Sequence, residues 1–571
     1  MVNKILKFKS IVSTLLVVVI GGFLVSSCGG SDDTTTPAAA TSSIVVTGAL
    51  GVFPDTNELS SSISKNIQVK GGSLINDMVI TASVNFEVSL DDTTFSDEVT
   101  IATTDVNASN KTVYVRFSPI AGAVGNKTGT ISFVSAPAPT KTLNVSGVGV
   151  SITPIINTDL TALSFDDTQI NTTSIALPLV VNGDNLVTDI NLTTTANFEV
   201  SLDNITFSAA VVIPAATVND DTMVYVRFLP VAVTNYTGTL TLSSTGATDV
   251  VINLTGSGVP VVHNYTSFDS QSLGFGGGFS QSAAQTFTLH NNLSNIAEIK
   301  MYLQIGCPTS GCDDWDRFAN VKVKDQSTGD WYEIARYITP YWTGTQQLAR
   351  GLEFDVTDFK SLLTGAVELR IYIENWTAKA DIISVDFDYI EGTPDYPYYA
   401  VARVMDYSNN SISGVPYGSS TAAFDLDKTV TIPANSESTH LRTIISGWGH
   451  ANPADSDGRQ CAEWCYRTHN IKINGSNAFS HNMGSLGCAS NPISNQSPGN
   501  WMANRAGWCP GMQVPTRIDD FSSNMAGSTF TYEYDYENWT NNGSNGNAFY
   551  ATSTYVVVKS NSTIVKPTVV D

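Results

Sequence analysis

Basic side chains are scarce in this chain. Lysine and arginine together number 29 against 52 aspartates and glutamates, a formal net charge of −23. That deficit argues against nucleic acid as a partner, because a phosphate backbone is gripped by clustered Lys and Arg, and it suits a soluble domain outside the cell. Runs with helical periodicity are also rare, whereas Thr, Ser, Asn, Val and Gly are abundant, so the chain reads as all-β. Long hydrophobic runs are missing apart from Ile11–Leu24, which is too short for a comfortable membrane span. Histidine, cysteine and tryptophan are absent between positions 29 and 259, a stretch poor in the residues that carry chemistry. At 571 residues the chain is too long for one core, and ordinary domain sizes predict roughly three to five domains.

What is present begins with a targeting segment. Lys4, Lys7 and Lys9 precede the short apolar stretch, which ends in Val25-Ser26-Ser27-Cys28. This resembles a bacterial lipoprotein signal in which Cys28 is lipidated after cleavage; a plain secretory signal with an incidental cysteine is the alternative. The pair Asp32–Asp33 just behind it resembles the surface-export signal of some bacterial lipoproteins. The expectation is an exported lipoprotein, held in the outer membrane by Cys28 and exposed at the cell surface. Six cysteines remain, in the sequence-close pairs Cys307/Cys312 and Cys461/Cys465 and then Cys488 with Cys509, and an even number in an oxidising compartment implies disulfides. Cys461, Cys465 and His469 also read as part of a zinc site, but no second ligand pair completes it.

Residues 29–43 are a Thr/Ser/Pro/Ala tether with nothing to bury. Two copies of one module follow, over 44–150 and 151–259. NFEVSLDDTTFS (85–96) returns as NFEVSLDNITFS (197–208), and TVYVRFSP (112–119) as MVYVRFLP (223–230). Val113, Val115 and Phe117 alternate with Tyr114 and Arg116, as in a half-buried strand, and short strands between frequent turns predict an Ig-like β-sandwich for each copy. The copies read as spacers, with a weak carbohydrate- or protein-binding role as the alternative. All nine tryptophans lie beyond Val259, and aromatic rings are what proteins lay against the apolar faces of sugars. A junction near TPDYPYYA (393–400) divides that part into two all-β halves, 260–394 and 395–571.

Three carboxylates stand out. In ELRIYIENW, Leu369, Ile371 and Ile373 point one way, while Arg370, Tyr372, Glu374 and Trp376 share the other face, suited either to gripping a sugar or to facing solvent. CAEWCYRTH places Glu463 and Trp464 inside a tight disulfide loop, which is either a preorganised site or a surface staple. In GCDDWDRFANVKVK, Ala319, Val321 and Val323 take the core face and Asp316, Phe318 and Asn320 the other. Asp313 and Asp314 are alternative calcium ligands without the spacing of a calcium loop. Acids whose environments push their pKa values apart perform acid–base chemistry, but sequence supplies no distances.

GCDDWDRFANVKVKDQSTGDWYEIARYITPYW (311–342), RGLEFDVTDFKSLL (350–363), LRTIISGWGHANP (441–453), CAEWCYRTH (461–469) and NPISNQSPGNWMANRAGWCPGMQVPTRID (491–519) closely resemble the bacterial peptide-N-glycosidase F family. The resemblance runs from about residue 262 to the end and leaves the repeats and tether outside. It implies two eight-stranded antiparallel jelly rolls side by side, with the active site in the cleft between them. It also implies hydrolysis of the amide joining Asn to the first GlcNAc of an N-glycan, without metal or organic cofactor. By position, Asp316 corresponds to the essential aspartate, with Glu463 and Glu374 as the second and third acids. Arg505 falls near the scissile amide, and Trp315, Arg317, Trp376, Trp448, His450 and Trp508 at positions that bind the glycan. The implied disulfides are Cys307–Cys312, Cys461–Cys465 and Cys488–Cys509, and the implied partners are N-glycosylated proteins and glycopeptides, met by a monomer. Departures are small: the family's D-E-W-D reads Asp313-Asp314-Trp315-Asp316, and Gln460 stands where a small residue is usual. Two rival readings are an endo-β-N-acetylglucosaminidase, which also sets two acids on a chitobiose core, and a non-catalytic glycan-binding lipoprotein.

Overall fold

The structure is a computed structural model that describes residues 40–416, 426–451, 458, 461–497, 499–537 and 548–571, with Ala451 and Cys461 described in backbone only. The predicted signal with Cys28, and the tether up to residue 39, lie outside the described residues. Strands dominate throughout, and one short helix, Thr103–Ala108, is the only α-helix among the described residues. No described helix is long and apolar enough to cross a membrane.

Each N-terminal repeat is a β-sandwich. In the first, Ser43–Thr47, Lys65–Gly72, Lys111–Phe117 and Phe86–Ser89 form a four-stranded sheet that packs on a five-stranded one. Val113, Val115 and Phe117 are fully buried between the sheets, as their alternation predicts. Phe53, Phe86 and Phe117 meet there, and Phe165, Phe198 and Phe228 repeat the arrangement in the second copy. On the outer face Arg116 pairs with Glu87 and covers the Phe95 ring; Arg227 does the same with Glu199 and Phe207. The repeated sequence motifs are therefore a repeated core and a repeated surface staple.

Two larger sandwiches follow, and their connectivity is the same. In the first, one sheet runs Val262–Thr266, Asp381–Glu391, Ile296–Gly306, Leu352–Asp355, with Gln271–Leu273 continuing the Val262 edge along the same partner. The other runs Ser282–Thr288, Ala366–Ile373, Phe318–Lys324, Trp331–Ile338. In the second sandwich, Tyr398–Tyr407, Phe549–Ser560, Ser438–Trp448 and Thr516–Asp520 form one sheet, with Val415–Pro416 continuing its Tyr398 edge. Ser476–Asn482, Thr468–Ile473, Thr529–Asp535, Asp427–Thr431 and Thr568–Val570 form the other. In both sandwiches the first, eighth, third and sixth strand positions make one sheet, and the second, seventh, fourth and fifth make the other, all antiparallel. Among the described residues the second adds Thr568–Val570 to the edge strand Asp427–Thr431, and a two-stranded ribbon of His450–Ala451 with Cys461–Ala462 lies outside its sheets.

The two larger sandwiches share a core: Tyr399, Val401, Tyr555 and Val557 of the second pack into the hydrophobic cluster of the first. The expected outward face of Phe318–Lys324 is correspondingly not outward. Phe318, Asn320 and Lys322 are as buried as Ala319, Val321 and Val323. The second sandwich covers them, with Asn320 Nδ2 donating to Ser408 O and Lys322 Nζ bonding Asp406, so both faces of that strand are interior. The edge strand Trp331–Ile338 is closed by main-chain bonds to the second sandwich: Ile338 N to Met512 O, Gly511 N to Ile338 O and Val514 N to Arg336 O.

Candidate active site

Asp316 sits one turn ahead of Phe318–Lys324, at the seam. The Thr339 hydroxyl clamps it from both sides, accepting from Arg317 N (2.8 Å) and donating to Trp315 O (3.0 Å). From the other sandwich comes Arg505, whose side chain is 1 % exposed. Arg505 Nη1 is anchored on Asn500 O and Ala503 O, and its Nη2 reaches Asp316 Oδ2 (3.3 Å) and the Tyr341 hydroxyl (3.1 Å). Tyr341 in turn hydrogen-bonds Asp316.

Glu463 completes the group. It follows the two-residue ribbon strand Cys461–Ala462, which lies against strand Ser438–Trp448 so closely that a Cβ on Gly447 would meet Ala462 O at 2.4 Å. Backbone bonds fix Glu463 on both sides, its N–H to Gly449 O and its carbonyl accepting from Ala506 N. Its carboxylate lies 3.6 Å from Arg505 Nε and 3.4 Å from His450 Nε2. The same His450 nitrogen accepts from Trp464 Nε1 when neutral, and faces Glu463 when protonated; the carboxylate raises the His450 pKa. Two carboxylates thus share one buried guanidinium. Burial, and then the Glu463 charge, push the Asp316 carboxyl from 3.8 up to about 6, while Tyr341 and Arg505 oppose the shift.

Glu374 stands apart, in the loop after strand Ala366–Ile373, whose inward Leu369, Ile371 and Ile373 keep the predicted alternation. Its carboxylate is buried against the second sandwich and accepts from Ser411 N (2.8 Å) and Ser411 Oγ (2.9 Å). Burial raises its pKa; Ser411, Arg317 and the Trp376 side chain hold the rise back. Trp376 and Trp315 are about half exposed, and Trp376 meets Phe275 edge to face.

Two of the predicted site residues lie deep in the seam. Trp508 is 1 % exposed, with its indole N–H on Gly447 O, and stacks on Trp448 at 4.6 Å. Arg505 lies between the Trp464 and Trp508 rings, behind the acids, with no free surface. Packing against the seam turns both inward: Trp508 offers no face to a glycan, and Arg505 stands beside Asp316 and Glu463. The zinc reading also fails, since Cys465 is disulfide-bonded and buried His469 accepts from Glu537 N. The calcium reading fails as well, because Asp313 bonds Arg317 and Thr377, and Asp314 bonds Lys379. Cys307–Cys312 and Cys488–Cys509 are bridged, whereas the side chain of Cys461 lies outside the described residues. Sequence reasoning missed Tyr341 and Thr339, which sit in ITPYW; only their contacts single them out.

A pair of acids sharing a fixed cation, with exposed tryptophans nearby, suits hydrolysis of a bond next to a sugar. Comparison with known proteins agrees. Residues 416–557 match the family model described as peptide-N-glycosidase F, C terminal. The chain is 56 % identical over 306 residues to peptide-N(4)-(N-acetyl-beta-D-glucosaminyl)asparagine amidase F of Elizabethkingia miricola, covering 54 % of this chain and 86 % of that protein. It superposes on the structure of PNGase F, a glycosylasparaginase from Flavobacterium meningosepticum, with a TM-score of 0.53 and 56 % identity, over 55 % of this chain and 100 % of that one. A recombinant peptide:N-glycanase F structure gives the same TM-score and identity, over 54 % of this chain and 99 % of that one.

Proposed function

The chain belongs to the peptide-N-glycosidase F family, and from that premise we infer that it is a peptide-N4-(N-acetyl-β-glucosaminyl)asparagine amidase acting on N-glycosylated proteins and glycopeptides. Water attacks the side-chain amide carbon of the glycosylated asparagine and the bond from that carbon to the sugar-bearing nitrogen breaks. The peptide keeps an aspartate, and the intact glycan leaves as a glycosylamine that then loses ammonia. Ionised Asp316 takes the proton of the attacking water and returns it to the departing nitrogen. Glu463 holds the water, Arg505 keeps two adjacent carboxylates tolerable, and Glu374, Arg317, Trp315 and Trp376 bind the two GlcNAc rings. The observation that carries this reading is the raised carboxyl of Asp316 facing Glu463 across one buried guanidinium. Mass spectrometry of a treated N-glycopeptide tests it. Aspartate in place of asparagine is expected; a GlcNAc left on asparagine would mean cleavage within chitobiose, and an unchanged peptide would mean binding alone.

A base with a carboxyl near 6 sets the pH dependence. kcat/KM is expected to climb as pH rises through about 6, where Asp316 ionises, and to level above it. A rate that does not change across that range would remove Asp316 as the base.

The finer architecture belongs to the same reading. The two larger sandwiches, 260–394 and 395–571, are jelly rolls, supported by their shared strand order. The repeats, 44–150 and 151–259, are Ig-like spacers, supported by paired sheets and a repeated phenylalanine core. With Cys28 lipidated, they would hold a monomeric enzyme off the outer membrane toward large glycoproteins at the cell surface.

A further inference from the structure

Behind the Asp316 loop lies a polar cluster that the reaction as described does not use. Asp313 is 1 % exposed. One of its oxygens accepts from Arg317 Nε at 2.5 Å, and the other from Thr377 Oγ1 at 3.0 Å. Thr377 is fixed by Asn375, whose Nδ2 also reaches Asp381 at 3.3 Å. Asp381 is equally buried, and burial followed by the Asp313 charge pushes its carboxyl up to about 7. Of the two, Asp313 is the one in contact with a cation, Arg317.

The arrangement around Arg317 is what separates a site from a plain buried ion pair. Asp313 engages only Nε, and the two amino ends of the guanidinium have no hydrogen-bond partner among the described residues. The side chain is 18 % exposed, next in sequence to Asp316, and close enough to Glu374 to hold back the rise that burial gives its pKa. A guanidinium whose inner edge is fixed and whose outer edge is free is set to fork onto substrate oxygens.

We propose that Asp313 is a positioning residue for the deglycosylation reaction: it orients Arg317 so that both free amino groups meet the GlcNAc pair, and through Thr377 it ties the Asp316 loop to the Glu374–Trp376 loop. The proposal rests on Arg317 acting on substrate, as in the functional reading above. Asp313→Asn keeps the shape and the Thr377 bond but removes the negative charge that faces Arg317. It is expected to raise KM for an N-glycopeptide on the order of tenfold with kcat little changed, since ground-state and transition-state binding are lost together. In an Arg317→Ala background the same substitution should have no further effect on KM. Thr377→Val, which removes the other bond, should leave KM within about twofold while lowering thermal stability. Equal KM penalties for Asp313→Asn with and without Arg317 would overturn the proposal, as would an unchanged KM in the single variant with unchanged melting. Failure of the wild type to convert asparagine to aspartate in the same assay would instead strike the functional reading itself.

Discussion

Asp316→Asn is expected to lower deglycosylation of an N-glycopeptide by about 10²–10⁴-fold, the range for removing a positioned acid–base group, and at the same time to make the protein harder to unfold at neutral pH. The second half follows from the same burial as the first. A carboxyl raised from 3.8 in the unfolded chain to about 6 in the folded one binds its proton more tightly when folded. The folded state is therefore favoured by protonation. That stability is fully present below 3.8 and is lost as pH rises through about 6. At neutral pH the displacement corresponds to about 3 kcal/mol held against the folded state. Asparagine carries no charge to desolvate beside Glu463, and Glu463 remains to balance Arg505. The melting temperature of the variant should exceed that of the wild type at pH 7 and converge with it as the buffer is made acidic. Retained activity in a folded Asp316→Asn protein would sink the catalytic assignment; a lower melting temperature at neutral pH would sink the electrostatic one.

Arg336→Met is expected to cost about 3–5 kcal/mol of stability, as removal of one member of a buried ion pair does. Arg336 and Glu333 are both fully buried at the seam. Their fork is bidentate, Nε to Oε1 at 2.9 Å and Nη2 to Oε2 at 2.7 Å. The further hydrogen bonds named next all come from the second sandwich. Arg336 Nη1 donates to Ser446 Oγ and Ala551 O, Ser553 Oγ donates to Glu333 Oε2, and the Glu333 N–H meets the Tyr555 hydroxyl. Removing the cation leaves Glu333 charged, buried and facing a half-satisfied seam. Deglycosylation should fall with stability, because Asp316 and Tyr341 stand on one side of that seam and Glu463 and Arg505 on the other. Removing both charges with Glu333→Met and Arg336→Met together should recover most of the loss in chemical denaturation. A single variant as stable as the wild type would show that the Arg336–Glu333 fork does not help to join the sandwiches.

How much of this was legible beforehand varies by element. Alternation in TVYVRF and ELRIYI reports which side chains are buried because each strand has one neighbour layer, and the structure keeps both patterns. The same rule puts Phe318 and Asn320 off the core face but does not show that face to be buried too, because a second sandwich supplies a second interior. It also separates Glu333 from Arg336, which are three apart and would face opposite ways in a regular strand. A bulge at Ile334, where Val321 pairs Ala335 but Lys322 pairs Glu333, brings both to the seam.

By itself the sequence determined the all-β class, the repeated module and, through long rare motifs, the family. These are properties of local pattern, carried by consecutive residues. Tertiary structure alone decided that Asp316 and Glu463, 147 positions apart (463 − 316), share one guanidinium, and that Trp508 and Arg505 face inward. It also decided that Asp313 holds Arg317 while Asp314 holds Lys379. Desolvation and charge–charge coupling depend on distance and burial, and for Asp316 and Glu463 both arise where the two sandwiches close on each other.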